Sequence, residues 1–315
     1  MALVPHGYAK QVRRIRNVLV VIVAVIAGVL YPVGAQYVQA ITELIVILLL
    51  YSSLRGVEIT SDRIAGSLGS IVGVLLLSYL LIPAVGIGWS RLYLADGSLL
   101  GVAIILSAPA TAGSSIVWTR LGRGNEELSG MTSLASIAVA PLLTPVVLFL
   151  LVGQFHSLPV VDLGTKLLVI IAAAITMRYL VPPGSIDDRA VEYGSIASIM
   201  LLIYAGVGRT RLEHTTALFV VQIGSLVLVV FVVGLLVVSL FYAASGANRE
   251  DLLSVFFAGT LKNLGISLFV VLAYGSTIAI QAIIVYYVSQ QLFSALLVDG
   301  LAERLGNPHP ESTGR

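Results

Sequence analysis

No cysteine occurs among the 315 residues, which excludes disulfides and thiol chemistry. Charge is scarce too: 11% of the chain is Asp, Glu, Lys or Arg, where a soluble domain carries roughly a quarter. The four histidines, His6, His156, His214 and His309, fall in termini or between apolar runs, so no histidine metal centre is expected within the apolar part. What fills the chain instead is hydrophobic, 58% of residues at a mean hydropathy of +1.01.

A bilayer core about 30 Å thick takes roughly 20 apolar residues per helix, and only helices or closed barrels satisfy their own backbone there. The apolar runs are too long for barrel strands, so the expected class is an all-α integral membrane protein. The basic opening MALVPHGYAKQVRRIRN precedes an apolar run from Val18 to Leu30 with no small-residue cleavage site after it. It reads as a retained first helix and not as a signal peptide.

Apolar runs bounded by charge, Pro and Gly predict ten spans: 17–33, 37–53, 64–86, 97–119, 126–153, 163–181, 190–208, 216–245, 252–273 and 276–299. Ten spans sort the basic residues unevenly. One side collects Lys10, Arg13, Arg14, Arg16, Arg55, Arg63, Arg120, Arg123, Arg178, Arg189, Arg249, Arg304 and Arg315; the other collects Arg91, Lys166, Arg209 and Arg211. The positive-inside rule then predicts both termini in the cytoplasm.

Two spans carry interruptions. The fourth holds SAPATAGSSIV, with Pro109 and Gly113, and the ninth holds AGTLKNLG, with Gly259 and Gly265. Proline removes a helix donor and glycine permits unwinding, so these four are candidate helix breaks. Each span is the fourth of its five, which predicts two inverted five-helix repeats, 1–153 and 154–315, with breaks that meet at mid-membrane. The alternative is that these residues only kink the helices or let them pack closely.

Among sixteen acids only Glu43 falls clearly within a span, and Lys262 is the one basic residue deep inside one. Lys262 stands too far from either end to snorkel. Its expected partners are unwound carbonyls, the hydroxyls of Thr111, Ser114 and Ser115, the Asn263 amide or a bound anion. A lysine out of water can also trade its proton, which would let it carry a transported one; the alternative is a fixed structural charge. Glu43 fits an interfacial or helix-pairing role better than a coupling one. Ser129, Ser133 and Ser136 recur at helical spacing and suit either a cation or a neighbouring helix. Ser289, Gln290 and Gln291 could line a cavity or pair with other helices.

Two stretches resemble the bile acid:sodium symporter family, relatives of which include arsenite efflux carriers. SAPATAGSSIVWTRLGRGNEELSGMTSLASIAVAPLLTP is similar to that family's fourth and fifth helices, chiefly in Arg123–Asn125, Leu128, Ser129 and PLLTP; AGTLKNLGI is similar to its broken ninth helix, with Asn263 and Gly265 in place. The resemblance implies ten helices, a panel of spans one, two, six and seven, and a core of the other six in which the broken helices cross. It implies sodium-binding hydroxyls at Ser129 and Ser133, a substrate contact at Asn263 and a polar pair near Ser289 and Gln290. The chain departs from sodium-coupled members where it has Ala258, Lys262 and Ile116 in place of an acid, a glutamine and an asparagine.

The expected function is secondary active transport of a small organic anion by alternating access, with Lys262 replacing the coupling sodium and transport proton-coupled or uncoupled. The runner-up is sodium symport through Ser129 and Ser133. A metalloid carrier ranks lower without a thiol, and a retinal protein lower without a mid-depth carboxylate. An enzyme is not expected, since nothing at depth would activate the serines. The expected partners are the substrate and the bilayer of the cell membrane, with no nucleic acid, cofactor or metal and with sodium left open.

Overall fold

The computed structural model describes residues 19–55, 66–152, 159–182, 184–210, 215–246 and 248–304. The four histidines and Lys10, Arg13, Arg14, Arg16, Arg63, Arg211 and Arg315 of the charge sort lie outside the described residues. Within them every regular element is helical.

In chain order the helices are α1 (Leu19–Leu30), α2 (Ala35–Ala40), α3 (Thr42–Arg55), α4 (Leu68–Ser90), α5 (Asp96–Ser107), α6 (Ala112–Leu121) and α7 (Glu126–Val152). They continue with α8 (Val160–Leu180), α9 (Asp188–Thr210), α10 (Ala217–Ser245), α11 (Arg249–Thr260), α12 (Leu264–Tyr274) and α13 (Thr277–Arg304). Among the described residues α4, α7, α8, α9, α10 and α13 are each long and apolar enough to cross a membrane, and α1 with the bent segment after it makes a seventh if the two are counted as one span. This is a multi-pass membrane protein.

The second expected span, 37–53, is not one helix. A 3₁₀ turn at Pro32–Gly34 and the short α2 leave α1 at 97°, and α3 starts afresh at Thr42. Pro32 stands in the first turn, where its missing N–H costs nothing, and the Tyr204 hydroxyl of α9 donates to the Tyr31 carbonyl at 2.7 Å, pinning the bend. Glu43 is exposed in the first turn of α3, where the positive end of the helix dipole favours a carboxylate.

Membrane helices lack a hydrophobic drive toward one another, so close packing and small residues hold them together. Gly101 of α5 lies against the Ala279 backbone of α13, where any side chain would collide. In α7, Pro145 cannot donate to the Pro141 carbonyl four residues back. Gly164 of α8 sits over that oxygen, and a Cβ there would stand 2.8 Å from it.

The turn between α6 and α7 explains the RGN sequence. Gly124 N–H donates to the Thr119 carbonyl at 2.8 Å and Arg123 N–H to Arg120 at 3.1 Å, a Schellman ending with Arg123 left-handed at φ 59°. Glycine falls one residue later because a Cβ at 124 would meet the Glu250 carbonyl at 3.0 Å. Asn125 then ties the turn to α11. Its Nδ2 donates to Asp251 at 2.9 Å, its Oδ1 accepts from Leu128 N–H, and its carbonyl accepts from Ser254.

Candidate functional site

The two interrupted helices meet at their interruptions. Pro109 biases Ala108 before it toward extended backbone, and Ala108 has φ −65° and ψ 151° while Thr111 is also extended. On the other chain segment Leu261 and Asn263 are extended likewise. Ala110 and Lys262 form an antiparallel bridge, with Asn263 N–H donating to the Pro109 carbonyl at 2.9 Å and Thr111 N–H to Leu261 at 3.2 Å.

The glycines expected to break these helices do not. Gly113 lies inside α6, Gly259 inside α11 and Gly265 inside α12; the unwound residues are 108–111 and 261–263. Gly259 instead admits Leu77 of α4, and a Cβ at Gly265 would meet Leu49 of α3 at 2.5 Å. Close approach, not unwinding, explains both. Of the four, Pro109 alone lies in a break.

Four helix ends converge here, the C-terminal ends of α5 and α11 and the N-terminal ends of α6 and α12. Unpaired backbone groups at such ends need partners. Gln290 of α13 supplies two, accepting from Lys262 N–H at 3.2 Å and donating to the Lys262 carbonyl at 3.3 Å. Ser136 of α7 accepts from Ala110 N–H at 3.0 Å. Asn263 caps α12, its Oδ1 accepting from Ile266 N–H at 3.1 Å.

The Lys262 side chain is wholly buried. Its ammonium donates to the Ser78 carbonyl at 2.5 Å, the Ser78 hydroxyl at 2.9 Å and the Ala108 carbonyl at 3.2 Å. Three oxygens lie within hydrogen-bond reach of this one amine, and the Tyr79 ring lies 5.7 Å away on another side. The ammonium also offsets the negative end of α5, where Ala108 is the cap.

Ser78 has a free carbonyl for a local reason. Residues Leu77–Leu81 form a π turn in which Ile82 N–H bonds back to Leu77. Ile82 is the donor Ser78 would have in an α-helix, and the donor a π turn would offer, residue 83, is Pro83. The carbonyl therefore has no backbone partner, and Lys262 takes it. Single π turns of this sort are frequent at functional sites.

The other expected site residues divide. Ser115 and Ser133 share a hydrogen bond of 2.9 Å, while Ser129 is buried with no partner for its hydroxyl, as is Thr119 of α6. Ser114 accepts from Gln291 at 3.3 Å, and Gln291 in turn accepts from Trp118 at 2.7 Å. Gln290 is committed to the Lys262 backbone, and Ser289 faces α10, its oxygen 3.9 Å from a Cβ built at Gly224. Thr111 caps α6 without using its side chain. Sequence reading missed Ser78, Tyr79 and Pro83. The proline in LLIPAVG was the available signal.

A multi-pass helical protein with two interrupted helices paired at their breaks around a buried charge has the build of a membrane transporter. The sequence profile of the SBF-like CPA transporter family matches residues 17–303, and the chain belongs to that family, which is the bile acid:sodium symporter-like family. No curated protein matches the chain at a significant level.

Proposed function

We propose that the protein is a secondary transporter of a small organic anion, working by alternating access, in which Lys262 takes the place of a coupling cation. The observation that carries this is the ammonium itself, fully buried and bonded to three oxygens within 3.2 Å beside the paired breaks. Two like unit charges about 4 Å apart repel by about 4 kcal/mol at the effective dielectric of such sites, so an ammonium in this cradle opposes a sodium ion in the same place. Transport is then driven by protons or uncoupled.

The anion is drawn by the N-terminal ends of α6 and α12, whose helix dipoles favour negative charge. In this reading ten spans form inverted repeats 1–153 and 154–315; α1–α3, α8 and α9 make the panel, and the remaining helices make the core. Both termini face the cytoplasm and the protein works as a carrier in the cell membrane, with no enzymatic step.

A sodium-coupled reading has one observation in its favour, the unpartnered Ser129 hydroxyl beside the Ser115–Ser133 pair. The bond from Lys262 to Ala108, at the break itself, favours the first reading. A thermal-stabilisation screen of small organic anions, run with and without sodium and across pH, separates them. The proposal expects a stabilising anion whose effect is indifferent to sodium; stabilisation only in sodium overturns it.

A further inference from the structure

One face of the core meets the panel beneath a polar rim. Asp162 and Lys166, one turn apart on α8, both engage the Tyr274 hydroxyl at the end of α12. The hydroxyl donates to Asp162 Oδ2 and accepts from Lys166 Nζ at 3.2 Å, and the two charges pair at 3.1 Å. The ammonium also lies 5.3 Å from the Tyr274 ring centre. Arg209 at the end of α9 donates to the Leu272 carbonyl of α12 at 2.8 Å. These bonds join α12 to α8 and α9, and the charged side chains stay half exposed, 49% for Asp162 and 40% for Lys166.

Behind the rim the packing is close. Ile280 of α13 is fully buried against α9, where a side chain at Gly206 would meet it at 3.1 Å. Its neighbour Gln281 is also fully buried, and neither its amide nitrogen nor its amide oxygen has a partner. A buried amide with no partner among the protein's own groups is uncommon and favours any conformation that brings it to water. The rim opposes that with exposed bonds of modest strength. Two small opposing terms are what a bistable interface requires.

We propose that the Asp162–Lys166–Tyr274 group and Arg209 form a latch that closes the transport pathway on their side of the membrane, and that its release wets Gln281. This rests on the alternating-access reading and adds the closed side and the residues that hold it. Tyr274 is the hinge of the latch because it alone is held by both charges. Ile280, packed against α9, is the position whose exposure reports opening.

The absence of cysteine gives a labelling test without background. Ile280→Cys is placed in the full chain in liposomes and labelled with a membrane-impermeant maleimide applied from each side in turn, with Val161→Cys, 82% exposed at the start of α8, marking the latch side. Ile280→Cys labels slowly, and adding Tyr274→Phe raises its rate by about tenfold, the shift expected for losing a hydrogen bond to a charged group, from the side that labels Val161→Cys. Asp162→Asn gives a rise in the same direction. An unchanged rate in both variants, or a rise only from the opposite side, overturns the latch. Uptake by the same vesicles of the anion selected by the stabilisation screen separates the two ideas, since uptake with an unresponsive reporter removes the latch alone, and a responsive reporter without uptake removes the transporter reading.

Discussion

Replacing Lys262 by alanine removes the donor from three oxygens and leaves a space lined by them. The Ser78 hydroxyl can turn elsewhere, but the Ser78 and Ala108 carbonyls, at 2.5 and 3.2 Å from the ammonium, are stranded at about 1–3 kcal/mol each. Against that gross loss of about 2–6 kcal/mol stands the cost of burying an ammonium, itself several kcal/mol, which the variant no longer bears. The two terms are of one size, so stability by itself decides nothing. Response to a free cation does decide. If the three oxygens form a cation cradle, sodium at about 100 times its dissociation constant stabilises Lys262→Ala by about 2.7 kcal/mol, or roughly 5–10 °C in a chain of this size at about 2–4 °C per kcal/mol. The assay is thermal unfolding in detergent, with sodium chloride against choline chloride at equal ionic strength. Wild type and Lys262→Met, whose stem fills the space, are expected to show no difference between the salts. An alanine variant blind to sodium, or a wild type stabilised as much as the variant, refutes the reasoning.

Pro83→Ala returns an N–H to the π turn and supplies a competing donor near Ser78; transport response to pH is expected to weaken while the melting temperature holds or rises, since proline inside a helix costs about 3 kcal/mol. Gln290→Leu strands both backbone groups of Lys262 and is expected to destabilise by about 2–6 kcal/mol, whereas Ser289→Ala is expected to cost about 1 kcal/mol or less, both read by thermal unfolding. Arg123→Gly relieves a left-handed residue and is expected to stabilise by about 1 kcal/mol, while Gly124→Ala is expected to lower stability because its Cβ meets the Glu250 carbonyl.

Much of this site was legible before any coordinates. Composition required a helical membrane protein, Pro109 marked one break, and Lys262 stood out as a charge too deep to reach water. What stayed hidden depended on neighbours in space. Gly259 and Gly265 looked like helix breakers along the chain and prove to be landing sites for Leu77 and Leu49, which only the packing of α4 and α3 reveals. Ser289, Gln290 and Gln291 read as one polar patch, yet successive helical residues point about 100° apart. They address α10, the Lys262 backbone and α6 in turn. The acceptor that matters most to Lys262 is a main-chain carbonyl at Ser78, freed by a proline five residues on. Unwound carbonyls were expected around Lys262, and the one at Ala108 is there; the one at Ser78 stayed hidden because no side-chain type announces a carbonyl freed within a continuous helix.

The central claim is that Lys262 occupies the place of the coupling cation. It is tested most directly by uptake into liposomes of the anion the stabilisation screen selects, driven in turn by a pH gradient and by a sodium gradient, for wild type and Lys262→Ala. Wild-type uptake is expected to be indifferent to sodium, and any response to the pH gradient is expected to vanish in the variant. Wild-type uptake that strictly requires sodium would contradict the account.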